Sequence, residues 1–348
     1  MSMKLREGKE AGRMPVNETI YAYAVGRIRV LETRLLDKNK LDRMVESPST
    51  DEAFKVLSET EYAPMIAELD NVHDFEKILQ AELEEVYSLM QKINPQVHFT
   101  DLIALKYDFH NLKVLLKAKY LAEPGDELLF PVGTFPLIKL RAAVAEENFR
   151  ELPAILCAAL EEITEEFVIS GDPQAIDLFL DQTLYEMLIG GAREQRSTFL
   201  EGLFIREADL TNLKTFLRVK RIGRDQAFLK KAFLPHGHLP IEIFGSLLDE
   251  PLEFLADRLA MSEYSHVVNE GIREWQEKGS IANFEKLADD LLTDYLQVGK
   301  RKTFGLEPLI GYLYAKETEV KNIRMILVGK INGLPIEVIR ERLRNVYV

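Results

Sequence analysis

One segment pattern occurs three times in this chain of 348 residues. The copies read YDFHNLKVLLKAK, EADLTNLKTFLRVK and KETEVKNIRMILVGK, and they align without gaps over their central stretch. Each copy has an acid, an asparagine three residues later, a basic residue two further on and a lysine eleven residues after the acid. The period is about a hundred residues, longer than that of common helical solenoids, so we expect three domain-sized copies of one unit.

The shared positions can be numbered from the acid of each copy. They are Asp108, Asn111, Lys113 and Lys119 in the first copy; Asp209, Asn212, Lys214 and Lys220 in the second; and Glu319, Asn322, Arg324 and Lys330 in the third. Apolar and acidic segments also begin at similar distances before the three asparagines, at Phe75, Ile176 and Phe284.

Loop-like sequences rich in proline and glycine separate the copies and set the expected boundaries. The sequence predicts a flexible N-terminal extension over residues 1–16 and three helical repeats over residues 17–125, 126–232 and 233–348.

Apolar residues recur at helical spacing through most of the chain, and alternating strand patterns are scarce. We therefore predict an all-α protein of three similar helical bundles. Three such bundles can stack openly, or they can close into a ring around a pseudo-threefold axis. A closed arrangement leaves a central opening along that axis.

The repeated segment has a defined polarity on a helical wheel. The acid lies inside an apolar arc, the asparagine at its edge and the basic residue at +5 just outside it. Buried polar groups need hydrogen-bond partners, so the acid and asparagine either tie the helix to a neighbouring helix or loop, or face the central opening and touch a partner. The basic residues are either solvated or form three positive charges around one mouth of the axis. The candidate contact positions are Asp108, Asn111, Lys113, Asp209, Asn212, Lys214, Glu319, Asn322 and Arg324.

The run from Asp108 to Asn111 has the composition of a chemical site, but the repeat argues against catalysis. His110 is replaced by Thr211 and Lys321 in the other copies, and no nucleophile stands at a suitable spacing. We expect His110 on the surface. The chain has no phosphate-binding loop, zinc-protease motif or nucleophile elbow. No catalytic, cofactor-binding or metal-binding residue is predicted, and the chain is not expected to be an enzyme.

Composition restricts the class of partner. The net charge of −13 and pI of about 5.2 make nucleic acid an unexpected partner. The single cysteine, Cys157, has no partner for an intrachain disulfide, and we expect it to pack as a small core residue. No apolar run approaches the ~20 residues that span a bilayer, so a soluble chain is expected.

The three repeated segments, LSETEYAPM and the closing GLPIEVIRERL resemble the family of C subunits (also called d subunits) of archaeal and bacterial A/V-type rotary ATPases. The resemblance covers almost the whole chain from about Tyr21. It implies a funnel of three helical bundles on the cytoplasmic face of the membrane, attached peripherally through a proteolipid ring.

The same resemblance implies the partners and the role. The partners would be central-stalk shaft subunits of the D and F type and the proteolipid ring, and the isolated chain would be a monomer. Its role would be to couple the rotating shaft to the ring during ATP-linked proton or sodium transport, without a catalytic residue or cofactor of its own. The alternatives are an all-α repeat scaffold for protein–protein binding and, more remotely, an all-α enzyme with a metal or apolar pocket.

Overall fold

The computed structural model describes residues 18–69 and 71–348, so the extension predicted over residues 1–16 lies outside the described part. Within those ranges every regular element is a helix, and the prediction of an all-α chain is confirmed. The α-helices are α1 (Ala22–Glu32), α2 (Lys38–Glu46), α3 (Thr50–Leu57), α4 (Ala63–Ala67), α5 (Phe75–Ile93), α6 (Val97–Leu121), α7 (Leu137–Glu146), α8 (Ala154–Ser170), α9 (Gln174–Glu194), α10 (Thr198–Ile222), α11 (Gln226–Ala232), α12 (Ile241–Leu247), α13 (Glu253–Arg258), α14 (Ser265–Lys278), α15 (Ala282–Leu296), α16 (Val298–Arg301), α17 (Glu307–Ile331) and α18 (Ile336–Arg342).

Local sequence signals fix where these helices begin and end. The side chain of Asp37 accepts a hydrogen bond from the Lys40 N–H at the start of α2, and Ser197 caps α10 in the same way. Gly171 and Gly223 follow α8 and α10 in the left-handed conformation that favours glycine. Capping therefore accounts for several of the boundaries without reference to tertiary contacts.

The three repeated segments lie on α6, α10 and α17, each of 25 residues and the longest helices of the described chain. We call these the repeat helices. Together with α5, α9 and α15 they form a closed succession of neighbours, in which α5 packs on α6, α6 on α9, α9 on α10, α10 on α15, α15 on α17 and α17 again on α5. These six are called the central helices below.

The last repeat helix also packs against the start of the chain. α17 contacts α1, α2 and α3 in addition to α5. One large apolar cluster is drawn from residues 21–208 and 296–347 together with Leu234, whereas a second is drawn from residues between Leu210 and Phe284. The two ends of the described chain are therefore buried in one shared core. None of the helices in these ranges combines the length and apolarity needed to cross a bilayer.

Candidate functional site

Buried acids fasten the first two repeat helices to the loops that follow them. The Asp108 carboxylate is fully buried and accepts hydrogen bonds from the backbone N–H groups of Thr134, at 2.7 Å, and Phe135, at 3.1 Å. Asp209 is equally buried and accepts the backbone N–H of Leu239 at 2.9 Å. Phe135 and Leu239 each precede the proline that opens a short helix, α7 or α12. The acids therefore hold equivalent points in two units.

The third acid makes the corresponding bond to the opposite end of the chain. Glu319 accepts the backbone N–H of Leu36, the residue before the cap of α2. Its other oxygen accepts the Tyr62 hydroxyl at 2.8 Å. Asp209 accepts the Tyr264 hydroxyl in the same way, also at 2.8 Å. The two tyrosines belong to the similar sequences SETEY and MSEY, so these bonds also recur between units.

The three asparagines have identical bonding. Each is buried, donates its side-chain amide to the backbone carbonyl of one loop residue and accepts that residue's N–H. The pairs, with distances of 2.7–3.1 Å, are Asn111 with Phe130, Asn212 with Leu234, and Asn322 with Arg344. Because one amide satisfies both backbone groups of its partner, each asparagine fixes the position of a loop in the interior.

The lysine at +11 completes the repeated arrangement. The acid of each repeat holds the start of a short helix, and the ammonium group of the lysine donates to carbonyls at the C-terminal end of that same helix. Carbonyls at the end of a helix lack partners within it, so a cation is stabilised there. Lys119 donates to Val144 at 2.8 Å, Lys220 to Leu248 and Glu250, and Lys330 to Val45 at 2.9 Å. We call the acid, asparagine and lysine of one repeat helix a clamp; the clamped short helices are α7, α12 and α2.

The basic residues at +5 lie on the opposite side of the repeat helices, within a polar stripe at positions −2, +2, +5 and +9. The stripe consists of Lys106, His110, Lys113 and Lys117 on α6, of Glu207, Thr211, Lys214 and Arg218 on α10, and of Glu317, Lys321 and Arg324 on α17. His110, expected on the surface, is half-buried, with its Nε2 2.8 Å from the Leu128 carbonyl oxygen.

Much of the stripe is ion-paired to the neighbouring central helix. Lys113 Nζ lies 2.6 Å from Asp181 on α9, and the Arg324 guanidinium binds both carboxylate oxygens of Glu76 on α5, at 2.7 and 2.8 Å. Lys117 with Asp177 and Arg218 with Glu285 form further pairs, each at 2.8 Å. Carboxylates on α5, α9 and α15 therefore face bases on α17, α6 and α10.

At position −2 the stripes of all three repeat helices meet in one polar cluster. Lys106 forms an ion pair with Glu317, which also accepts the hydroxyls of Tyr87, at 2.6 Å, and Tyr107, at 3.0 Å. Glu207 is close by. Its burial raises the pKa of its carboxyl to about 7, against the opposing influence of the Lys106 cation.

Position −2 could not be recognised from the sequence as a shared site, because Lys106, Glu207 and Glu317 differ in charge and do not align as one residue type. The available signal was the polar spacing of four and then three residues along each repeat helix, which continues by a further four on α6 and α10. No group of three or more His, Cys, Asp or Glu residues is arranged to hold a metal ion within residues 18–69 and 71–348.

Comparison with known proteins identifies the chain's family. The family model described as ATP synthase (C/AC39) subunit matches residues 24–342. The chain belongs to this family. Among C/AC39 relatives, the C subunit of the V-type sodium ATPase of Enterococcus hirae is 30% identical over 322 residues, covering 92% of this chain and 97% of the relative. The C subunit of the A-type ATP synthase of Methanocaldococcus jannaschii is 31% identical over 357 residues, covering 95% and 88%.

This match confirms the resemblance found in the sequence. A third C/AC39 relative, from the A-type ATP synthase of Methanothermobacter thermautotrophicus, is 28% identical over 339 residues, covering 93% of this chain and 87% of the relative. Of the nine candidate contact positions predicted from the sequence of this chain, the three acids and three asparagines lie in the clamps. The three basic residues selected with them lie on the polar stripe. The nine positions therefore form two sets on opposite faces of the repeat helices.

Proposed function

We propose that this chain is a non-catalytic central-stalk subunit of a V/A-type rotary ATPase, with its three units arranged as a funnel around a pseudo-threefold axis. In this role it couples the rotating shaft subunits to the membrane proteolipid ring, on the cytoplasmic face, during ATP-linked ion transport. Membership of the C/AC39 family supports the assignment to such a complex.

The observation that carries the proposal is the position of the third clamp. The first two clamps hold α7 and α12, which follow their repeat helices in the chain. The third holds α2 near the N-terminus, through Glu319 and Lys330. Within the described residues α17 is followed by α18, which ends before the Arg344 held by Asn322 and so corresponds to α11 and not to a clamped helix. An openly stacked array would therefore leave the third clamp without an equivalent of α7 or α12, whereas a closed array supplies one from its first unit. The third clamp therefore favours closure.

The face of the central helices opposite the clamps suits a protein partner. The stripe residues at +5, Lys113, Lys214 and Arg324, are half-buried between helices and carry charge. Interfaces with non-obligate partners combine polar complementarity with a packed, rigid surround. We propose that the clamps maintain the shape of the interior and that these three residues line the surface met by the shaft.

Reconstitution tests the proposal. The rotary complex is assembled with and without this chain, and ATP hydrolysis and ion transport are measured in the same vesicles. We expect the complex lacking the chain to hydrolyse ATP with transport lost, and transport to return when the chain is added back. Transport that remains coupled to hydrolysis in its absence contradicts the proposal. Loss of hydrolysis from the isolated soluble head on removing the chain contradicts the non-catalytic assignment.

A further inference from the structure

The three basic residues at +5 differ in their pairing. Lys113 Nζ lies 2.6 Å from an oxygen of Asp181, and Arg324 Nε lies 2.7 Å from an oxygen of Glu76. Lys214 has no ion-pair partner within 4.0 Å among residues 18–69 and 71–348. Of three equivalent cations, two are thus neutralised inside the described chain and one is left for another ligand.

The difference begins with the acids on α9 and α15. Asp177 and Asp181, four residues apart on α9, pair with Lys117 and Lys113 of α6. The equivalent acids on α15 are Glu285 and Asp289, one and five residues after Phe284. By this equivalence, Asp289 is the residue expected to pair with Lys214.

Asp289 instead forms ion pairs with other basic residues. Asp289 accepts Lys321 Nζ at 2.9 Å and Arg344 Nε at 2.7 Å, and the other α15 acid, Glu285, pairs with Arg218 at 2.8 Å. Arg344 comes from the C-terminal segment, which Asn322 fixes in place. The closing clamp therefore brings the extra base that displaces Lys214 from its expected partner.

A cavity of about 380 Å³ lies beside the unpaired ammonium group. Its charged lining consists of three bases, Lys214, Lys321 and Arg344, and three acids, Glu207, Glu285 and Asp289, of which Glu285 and Asp289 are ion-paired to other bases. This volume is within the range of sites that take a small ligand or an inserted side chain. Burial, together with the positive charges of Arg218 and Lys321, lowers the pKa of Lys214 against the attraction of Glu285 and Asp289. A carboxylate entering the cavity would offset the free energy lost when this ammonium group is partly removed from water.

We propose that Lys214 and its cavity bind an acidic side chain of the shaft subunit, and that this contact selects one of three nearly equivalent rotational settings of the shaft. The inference rests on the proposed function, because it assumes a protein that enters between the central helices. Three similar units offer such a protein three similar orientations. An unpaired cation in one unit alone makes one orientation more favourable than the other two.

Binding of purified shaft subunit to the full chain tests this with matched variants. Lys214→Gln and Lys113→Gln remove the same charge from equivalent positions. We expect Lys214→Gln to raise the Kd for the shaft at least about tenfold, as for loss of a charged hydrogen bond, and Lys113→Gln to raise it by a clearly smaller factor, because Asp181 already neutralises Lys113. In the wild-type complex, a carbodiimide should join Lys214 Nζ to a shaft carboxylate, detected by mass spectrometry.

The outcomes separate this inference from the proposed function. If Lys214→Gln and wild type bind the shaft with equal Kd values and no cross-link forms, the inference is overturned. The proposed function still stands in that case, because the wild-type chain binds the shaft. Failure of the wild-type chain to bind any shaft subunit overturns both. Inorganic phosphate is titrated in parallel. Phosphate binding that depends on Lys214, with shaft affinity unchanged in Lys214→Gln, assigns the cavity to a free anion and also overturns the inference.

Discussion

At the scale of single residues, two carboxylates of α10, the buried Asp209 and the half-buried Glu207, are distinguished by their hydrogen-bond donors. Asp209 accepts two backbone N–H groups and the Tyr264 hydroxyl, which offset the burial that raises its pKa. Among residues 18–69 and 71–348 no backbone N–H is found to donate to Glu207, which hydrogen-bonds the side chain of Tyr314 and lies near the carboxylate of Glu317. Burial accordingly raises the pKa of Glu207 to about 7, well above the unfolded value of about 4.3.

This raised pKa makes stability depend on pH. The folded chain holds the Glu207 proton more tightly than the unfolded chain, so the resulting stabilisation is complete below pH about 4 and is lost as pH rises through about 7. Glu207→Gln has no such loss. We therefore expect the difference in unfolding free energy between Glu207→Gln and wild type to shift in favour of the variant by about 2 kcal/mol from pH 5 to pH 8. This value is smaller than the full pKa shift implies, because Glu207 is partly exposed to solvent. Urea denaturation at the two pH values measures this change.

The matched control is Glu186→Gln on the exposed face of α9. It removes the same charge without removing a buried carboxyl, so its stability relative to wild type should vary little over this pH range. A pH-independent difference between Glu207→Gln and wild type would show that Glu207 is ionised in the folded chain throughout.

At the scale of the clamp, the length of the acid is matched to the loop that it holds. Asp108 and Asp209 come so close to their loops that a Cβ on Gly133 or Gly237 would overlap a carboxylate oxygen. In the third clamp the acid is Glu319, one methylene longer, and the equivalent loop position is Arg34. The extra methylene lets the loop lie farther from the helix and carry a side chain.

This geometry predicts the effect of one methyl group. Gly237→Ala forces the loop away from Asp209 and weakens the bonds from His238 and Leu239, so we expect a loss of about 1–3 kcal/mol in the free energy of unfolding. Gly190→Ala is the control, because a Cβ added at Gly190 would meet nothing within 4 Å and Gly190 lies on the exposed face of α9, away from the helix ends. That change should stabilise by about 0.5–1 kcal/mol. Comparable stability of Gly237→Ala and wild type in urea denaturation would rule out a close fit between the loop and the acid.

The clamps also show how far sequence reasoning extends. The wheel placed Asp209 inside an apolar arc and thereby identified it as a buried group in need of partners, which the structure supplies as backbone N–H groups. Alignment revealed the lysine at +11 but not its function, because its acceptors are carbonyls whose position depends on packing. Lys330 illustrates the limit, since its acceptor Val45 lies 285 residues away in the chain.

At the scale of the whole molecule, the third clamp differs from the others because both ends of the chain contribute to it. Asn322 holds Arg344 near the C-terminus, whereas Glu319 holds Leu36 near the N-terminus. In the other two clamps a single continuous loop supplies both partners. The closing contact therefore depends on the short segment that contains Arg344 and Asn345.

Truncation after Leu343 tests the importance of this segment. Removing residues 344–348 leaves Asn322 without its two backbone bonds and Asp290 without the Asn345 N–H, and it uncovers the surface packed by Tyr347. We expect the free energy of unfolding to fall by about 3 kcal/mol or more.

Hydrogen exchange shows where that loss occurs. Because only the third clamp is opened, amide protection should decrease in α2 and α17 while α7 and α12 remain as protected as in the wild type. Removal of Val348 alone, an exposed residue, is the control and should change neither stability nor exchange. Loss of protection spread equally over α2, α7 and α12 would mean that the three clamps open as one cooperative unit. Unchanged stability after the longer truncation would mean that closure does not depend on the C-terminal segment.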